Sequence, residues 1–188
     1  MRKNGLQPVD NPSEIFISQG RRINTGSTIF PCMEGTRALL VEIQALATRA
    51  NFGMPERKVS GVDYNRVSML LAILEKRIGL KLGGQDIFVN IVGGVQVDEP
   101  AADLGIAMTI ASSLKEKVIP SDTIVIGEVG LGGEIRNVNQ IEIRLKEAQR
   151  LGFKKAIIPK DNAKGIGKEL RIELFEVDYL SEAVEIIG

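Results

Sequence analysis

A strand, a double-glycine turn and a helix of small residues, in that order, constrain the fold of this chain most. Residues 86–92 are apolar enough to predict a strand, and residues 100–114 predict a helix with Pro100 in its first turn. Small residues occupy most faces of this helix: Ala101, Ala102, Gly105, Ala107 and Ala111. Because small side chains allow close approach, the helix is expected to be buried against its neighbours.

Strands and helices alternate along the rest of the chain. Hydrophobic periodicity predicts strands over residues 27–32, 38–46, 123–126, 155–158 and 172–175, and helices over residues 63–78, 139–151 and 181–187. This alternation predicts an α/β (α+β) fold with a mixed sheet and flanking helices. Residues 1–20 predict a linker with a short helix, residues 21–188 one domain, and residues 50–61 a mobile loop.

The absence of histidine excludes more functions than any other compositional fact. Without it, this chain of 188 residues cannot carry Ser-His-Asp or Cys-His catalysis, and it lacks the commonest metal ligand. One cysteine, Cys32, cannot build a zinc site or an internal disulfide framework, and its apolar flanks predict a buried, inert thiol. We therefore expect no metal site.

Charge and hydropathy limit the partners. The 24 Lys and Arg residues balance the 24 Asp and Glu residues, so any contact with nucleic acid must use a local basic patch. No apolar run approaches the roughly 18 residues that span a bilayer, and no secretory signal follows the first residues. With a single cysteine, these features predict a cytoplasmic protein without membrane contact.

Two carboxylates, Asp98 and Glu99, precede the helix of small residues. They could act as an acid and a base, or as ligands of a divalent cation. The simpler interpretation is that acidic residues are favourable at the positive end of a helix. We favour that interpretation because the sequence shows no third ligand.

The third predicted helix carries three cations among carboxylates. Arg144, Lys146 and Arg150 predict a solvated face with salt bridges, and the alternative is a face that meets an anionic partner. Asn139 and Glu142 have the spacing of a capping box, which would give Glu142 a structural role. Glycines within residues 127–133 predict the tight turn of a hairpin.

The segment over residues 98–103, Asp-Glu-Pro-Ala-Ala-Asp, is similar to the active-site turn of the Lon protease domain, Asp-Gly-Pro-Ser-Ala-Gly. An ungapped match puts Ala101 at the position of the nucleophilic serine. Alignment from Glu128 puts Glu142 at the position of the catalytic lysine. The resemblance implies a protease fold without its catalytic pair, and Lys146, one turn beyond Glu142, would have no nucleophile to activate.

Longer strings resemble the RadA (Sms) family of bacterial DNA-repair proteins. They lie at residues 33–37, 40–46, 61–66 and 127–136. The chain is similar only to that family's C-terminal Lon-protease-like domain, over nearly its whole length. The family's four-cysteine zinc finger and RecA-like ATPase have no counterpart here, because the sequence has no Walker A motif and a single cysteine. ATP, magnesium and zinc are thus expected only in those other parts.

The resemblance implies the Lon proteolytic-domain fold of the ribosomal-protein domain 2-like superfamily. It further implies a non-proteolytic domain that forms a hexameric ring and binds single-stranded or branched DNA, while the ATPase drives translocation or branch migration in recombination. The RecA recombinase is a candidate partner. Two other interpretations stay open: a Lon-like serine peptidase with a displaced active site, and an oligomerisation module without DNA contact.

Candidate DNA contacts are arginines that follow glycine-containing turns. Arg37 and Arg136 each lie just beyond such a turn and within a string that resembles the RadA family. An arginine on a turn can present its planar guanidinium to a phosphate. The alternative, which the residues alone favour, is an ordinary surface salt bridge to a neighbour such as Glu34 or Glu134. Arg57 and Lys58, in the predicted loop over residues 50–61, are the next candidates.

Overall fold

The computed structural model describes residues 24–50, 53–167 and 169–187, so the predicted linker over residues 1–20 lies outside the described residues. The strands are β1 (Ser27–Glu34), β2 (Arg37–Arg49), β3 (Arg57–Ser60), β4 (Gln85–Ile91), β5 (Thr123–Val125), β6 (Glu128–Val129), β7 (Ile135–Arg136), β8 (Lys155–Pro159) and β9 (Glu173–Val177). The helices are α1 (Tyr64–Ile73), α2 (Asp103–Lys115), α3 (Ile141–Arg150), α4 (Lys160–Ala163) and α5 (Leu180–Ile186). None of these described helices is long and apolar enough to cross a membrane.

Seven strands form one mixed sheet in the order β3-β4-β2-β1-β5-β8-β9. Strand β2 runs antiparallel to both of its neighbours, β1 and β4, and the other neighbouring pairs are parallel. Strands β6 and β7 form a separate antiparallel hairpin. The predicted α/β class with a mixed sheet and flanking helices is therefore confirmed.

Helix α2 is the central buried element. Every residue from Asp103 to Ser112 is buried, and the helix packs against β1 and β2. Gly105 makes the approach close, because a Cβ atom there would lie 3.2 Å from Cδ1 of Ile43. The expectation drawn from the small residues of this helix is confirmed, although its first turn, Pro100–Ala102, is 3-10 helical.

Helix α1 begins and ends where its sequence signals predict. The side chain of Asp63 accepts a hydrogen bond from the backbone N–H of Arg66 at 2.8 Å and caps the first turn. The helix continues as a π-helical turn over Leu74–Ile78, and Gly79 ends it with φ 76°. Only glycine adopts that left-handed conformation without strain, so the stop is encoded locally.

The loop predicted over residues 50–61 is wrong in its second half. Residues Arg57–Ser60 form β3, an edge strand that pairs in parallel with β4. The backbone N–H of Ile87 donates to the carbonyl of Glu56 at 2.8 Å and starts this pairing. Four mostly polar residues show no apolar periodicity, because one face and the outer edge of the strand are exposed.

Cys32 lies in β1, and its thiol is buried as predicted. Burial, followed by the negative charge of Glu99, raises the pKa of the Cys32 thiol to about 12. Because the thiolate is the reactive form, this cysteine is inert at neutral pH.

Candidate functional site

The turn before α2 lies against the root of the β6–β7 hairpin. The backbone N–H of Gly127 donates to the carbonyl of Ala101 at 2.9 Å, and the N–H of Leu104 donates to the carbonyl of Gly127 at 2.9 Å. Ala101 and Ala102 are buried. This reciprocal pairing fixes the turn, and at Ala101, the position compared with the Lon nucleophile, the side chain is an unreactive methyl group.

Glu99, at the start of this turn, forms a largely buried ion pair with Arg144 of α3. Nη2 of Arg144 lies 2.5 Å from one carboxylate oxygen and Nη1 lies 3.1 Å from the other. The same guanidinium donates to the carbonyls of Pro31 at 2.6 Å and Asn139 at 3.2 Å. Glu99 also accepts the backbone N–H of Met33 at 2.8 Å. These bonds tie β1, the turn and the start of α3 together.

Asp103, at the other end of the turn, pairs with Arg66 of α1. Nη1 of Arg66 lies 2.6 and 2.7 Å from the two carboxylate oxygens, and the Asp103 side chain is only 1% exposed. Burial raises the pKa of the Asp103 carboxyl to about 6, although the bond to Arg66 and the N–H of Val129 oppose that rise. Asp103 thereby joins α1 and α2 to the hairpin strand β6.

A cavity of about 200 Å³ opens beside the turn. Its lining includes Glu99, Ala101, Glu128, Asn139 and Arg144. Two of its charged residues, Glu99 and Arg144, are paired with each other. No three His, Cys, Asp or Glu side chains among the described residues are grouped so that they could hold a metal ion.

Glu142, the position compared with the Lon lysine, does not line this cavity. Its carboxylate lies 3.5 Å from Nζ of Lys146 on the outer face of α3, and Lys146 also pairs with Glu169 at 3.0 Å. The structure therefore brings Ala101 together with Arg144 rather than with Glu142.

The capping box predicted from Asn139 and Glu142 is wrong. The N-cap of α3 is Gln140, with φ 58°, and no side chain caps the helix there. The carbonyl of Asn139 accepts from Arg144 instead. Tertiary contact with a buried guanidinium thus replaces the local cap.

The solvated face predicted for α3 is correct for two of its three cations. Lys146 pairs with Glu142 and Glu169, and Arg150 pairs with Glu147 at 2.6 Å, all partly exposed. The prediction is wrong for Arg144, whose side chain is 3% exposed. No pattern within α3 marks Arg144 as buried. A charged residue inside an apolar helix, such as Asp103, does indicate that a cationic partner is needed, and that partner is Arg66.

The interpretation that Asp98 and Glu99 are acidic residues favoured at the positive end of a helix holds fully for neither residue. Glu99 occupies the N-cap position of the 3-10 turn, but its carboxylate makes no capping hydrogen bond and instead binds Arg144. Asp98 is exposed and accepts from the side-chain amide of Gln96 at 3.1 Å. The strength of a buried, bidentate pair outweighs the modest helix-end effect.

The four candidate DNA contacts do not form one cluster. Arg37 is exposed at the first position of β2, and it makes no ion pair with the residues that the structure describes. Arg136 lies on the separate hairpin and pairs with Glu134 at 2.7 Å and with Glu128 at 3.8 Å. Arg57 and Lys58 lie on edge strand β3, where Lys58 pairs with Glu56 at 2.8 Å.

Comparison with known families places the chain. A family model described as subunit ChlI of Mg-chelatase matches residues 44–162. The chain belongs to this family. The match runs from β2 to α4 and so includes the turn, both buried ion pairs and the hairpin.

The chain is also similar to proteins named DNA repair protein RadA. It is 48% identical over 186 residues to that of Halalkalibacterium halodurans, which covers 99% of this chain and 41% of the relative. For Bacillus subtilis the identity is 50% over 184 residues (98% and 40%), and for Aquifex aeolicus 46% over 190 residues (100% and 41%). The resemblance to RadA is confirmed, and the chain spans about two fifths of the length of these curated relatives.

Replacing Arg144 with methionine should lower the free energy of unfolding by about 2–4 kcal/mol. The change leaves the Glu99 carboxylate unpaired and two carbonyls without their donor, and breaking a buried pair is strongly destabilising. Urea denaturation measures the loss. In the matched control, Arg150→Met, an exposed pair is broken and the change should stay within about 0.5 kcal/mol. Equal effects of the two changes would contradict the structural role of Arg144.

Stability should fall between pH 4 and pH 6 because of Asp103. Its carboxyl pKa is about 6 in the folded chain and 3.8 in its ordinary state, so the folded state binds the proton more tightly. The stabilisation is complete below the ordinary pKa and is lost as pH rises through about 6, a change of up to about 3 kcal/mol.

Urea denaturation at several pH values measures this effect as the difference between the unmodified chain and Asp103→Asn. As pH rises, the free energy of unfolding of the unmodified chain should fall relative to that of Asp103→Asn. Asp98→Asn, at an exposed carboxylate, is the control and should follow the unmodified chain. A difference that moves the opposite way, or none at all, would refute the raised pKa of Asp103.

Proposed function

We propose that this chain is a non-proteolytic, DNA-binding domain of a RadA-type DNA repair protein with a Lon-like fold. The observation that carries the proposal is the similarity of nearly the whole chain to proteins named DNA repair protein RadA. The mixed sheet, the flanking helices and the hairpin beside the turn agree with the Lon-like fold that the sequence resembles.

The geometry of the turn supports a loss of peptidase chemistry. A serine peptidase needs a nucleophile and a base within hydrogen-bond reach of each other. At the compared positions this chain has the buried methyl group of Ala101 and the surface carboxylate of Glu142, which pairs with Lys146. The carboxylates at the two ends of the turn, Glu99 and Asp103, are held in ion pairs that serve the fold.

For the whole protein we propose a DNA-dependent ATPase of recombination, in which this domain contributes self-association in a hexameric ring and contact with single-stranded or branched DNA. ATP and Mg would bind elsewhere in the longer protein, as would the Zn of a zinc finger. The RecA recombinase is the candidate protein partner, and the cytoplasm the proposed location. Branch migration or translocation would be driven by the ATPase.

Among the candidate DNA contacts, the environment of Arg37 supports the role best. Its guanidinium is exposed and pairs with no carboxylate among the described residues, so binding a phosphate breaks no existing ion pair. Arg136 would first have to release Glu134, to which it donates two hydrogen bonds at 2.7 and 3.1 Å. Because that pair is exposed, the exchange costs little.

The unmodified chain should hydrolyse neither casein nor small esters. The compared nucleophile position holds Ala101, and the chain contains no histidine. Release of fluorescent peptides from labelled casein, with an active Lon protease as positive control, measures this. Turnover that a serine-directed reagent blocks would overturn the proposal and support the alternative, a peptidase with a displaced active site.

Replacing Arg37 or Arg136 with alanine should weaken DNA binding to the same extent whatever the base sequence of the DNA. Each lost phosphate contact should flatten the slope of log affinity against log salt by about one unit. Gel shifts with single-stranded, duplex and branched DNA at several salt concentrations measure both effects. Lys164→Ala is the control, because Lys164 pairs with Asp161 on the short helix α4.

Two outcomes would contradict this assignment. A folded double variant that binds DNA as the unmodified chain does would exclude Arg37 and Arg136, and Arg57 and Lys58 would be tested next. No binding by the unmodified chain at low salt would support the oligomerisation module without DNA contact.

A further inference from the structure

The tip of the β6–β7 hairpin displays apolar side chains to solvent. Leu131 is 68% exposed, and Tyr179, which directly precedes α5, is 53% exposed. We define the hairpin tip as Leu131, Gly132, Gly133 and Tyr179. Tyrosine is enriched at protein interfaces, and a large exposed leucine beside it marks a candidate contact surface.

The hairpin tip is held in one conformation before any partner binds. The N–H of Gly133 donates to the carbonyl of Gly130 at 2.9 Å, and the N–H of Leu180 donates to the carbonyl of Gly133 at 2.8 Å. Nε of Arg77 donates to the carbonyl of Leu131 at 3.3 Å. A surface fixed in advance loses little conformational entropy on binding, which favours its use as a contact.

A concave surface lies elsewhere on the same chain. Strand β2 is buried from Leu40 to Ile43, but Gln44, Leu46 and Thr48 are exposed. Beside them on β4 lie Phe88 and Asn90, since Leu46 pairs with Phe88 and Gln44 with Asn90. We call these five residues the open face. Four of these five residues, all but Thr48, line a depression of about 300 Å³ together with residues 24–27 and Ala45, and Leu46 is 56% exposed.

The hairpin tip and the open face lie on opposite sides of the sheet. Gly105 of α2 faces Ile43, so α2 lies on the side of the odd-numbered residues of β2. Because side chains alternate along a strand, Leu46 points to the other side. The tip lies with α5 and the end of α1, helices that pack with α2. Two different surfaces on opposite sides can join successive copies head to tail.

The two surfaces are complementary in chemistry. The tip exposes Leu131, with Arg77 against the carbonyl of that residue. The open face is concave, with Leu46 and Phe88 among amides, and Asp86 lies on the same face of β4 as Phe88. Within the described ranges neither Arg77 nor Asp86 forms an ion pair. A cation beside the tip thus matches a carboxylate beside the depression.

We infer that the hairpin tip of one copy of this chain docks on the open face of the next copy, with Leu131 against Leu46 and Phe88. This inference rests on the proposed self-association and names the surfaces that would carry it. The contact is heterologous, so it builds a ring when its rotation closes.

Single-cysteine variants test which surfaces meet. Leu131→Cys and Leu46→Cys are mixed in equal amounts and treated with a short bis-maleimide, and each is also treated alone. Covalent dimers should form in the mixture and not in either variant alone, because the contact joins different surfaces. Tyr64→Cys, at a residue of similar exposure (51%), replaces Leu46→Cys in the control mixture. Cys32 is buried and stays unmodified, which the unmodified chain verifies.

Light scattering of the same samples separates this inference from the proposed self-association. An oligomer that gives cross-linked dimers only in the mixture supports both. An oligomer without that cross-link, or with cross-links from Leu131→Cys alone, overturns the head-to-tail contact and leaves self-association standing. A monomer at high concentration overturns both.

A second measurement tests the charge pair without relying on cysteine. Arg77→Asp should at least halve the oligomeric fraction at a fixed concentration, and Asp86→Arg should do the same. The double variant should recover it, because the exchanged charges again attract. No recovery in a double variant that remains folded by circular dichroism would overturn the matching of Arg77 with Asp86.

Discussion

The buried guanidinium of Arg144 is the contact on which the rest of this site depends. It reaches from α3 to the carboxylate of Glu99 and the carbonyl of Pro31, and so links a helix, a turn and a strand that are distant in sequence. A buried charge without such partners would be too costly to retain. Because Arg144 binds Glu99 and Pro31, it fixes the position of the turn and of the start of α2.

Two ion pairs hold the turn before α2 in place. Glu99 and Asp103 lie at its two ends, and each carboxylate meets an arginine from a different helix, Arg144 or Arg66. In an enzyme, such groups would be kept available for protons or substrate. Here their hydrogen bonds go to backbone and guanidinium groups, so they fix the architecture of the turn.

Sequence predicted the elements whose cause is local. The small residues of α2 and the apolar periodicity of the helix over residues 63–78 are properties of the segments themselves, and the structure has both helices. Strand β3 was missed because it depends on pairing with β4 rather than on its own pattern. Arg144 was placed on the surface because nothing within α3 announces a partner 45 residues away. Local patterns cannot report such long-range charge pairing.

The ion pair between Asp103 and Arg66 connects the turn before α2 to the hairpin tip, the surface that we assign to assembly. Its carboxylate accepts the N–H of Val129 in β6, which leads to the hairpin tip, and its partner Arg66 lies on α1, which leads to Arg77 beside Leu131. Two of the supports of the tip therefore begin at one buried carboxylate. A turn held by two buried ion pairs can serve as a fixed base for a contact surface.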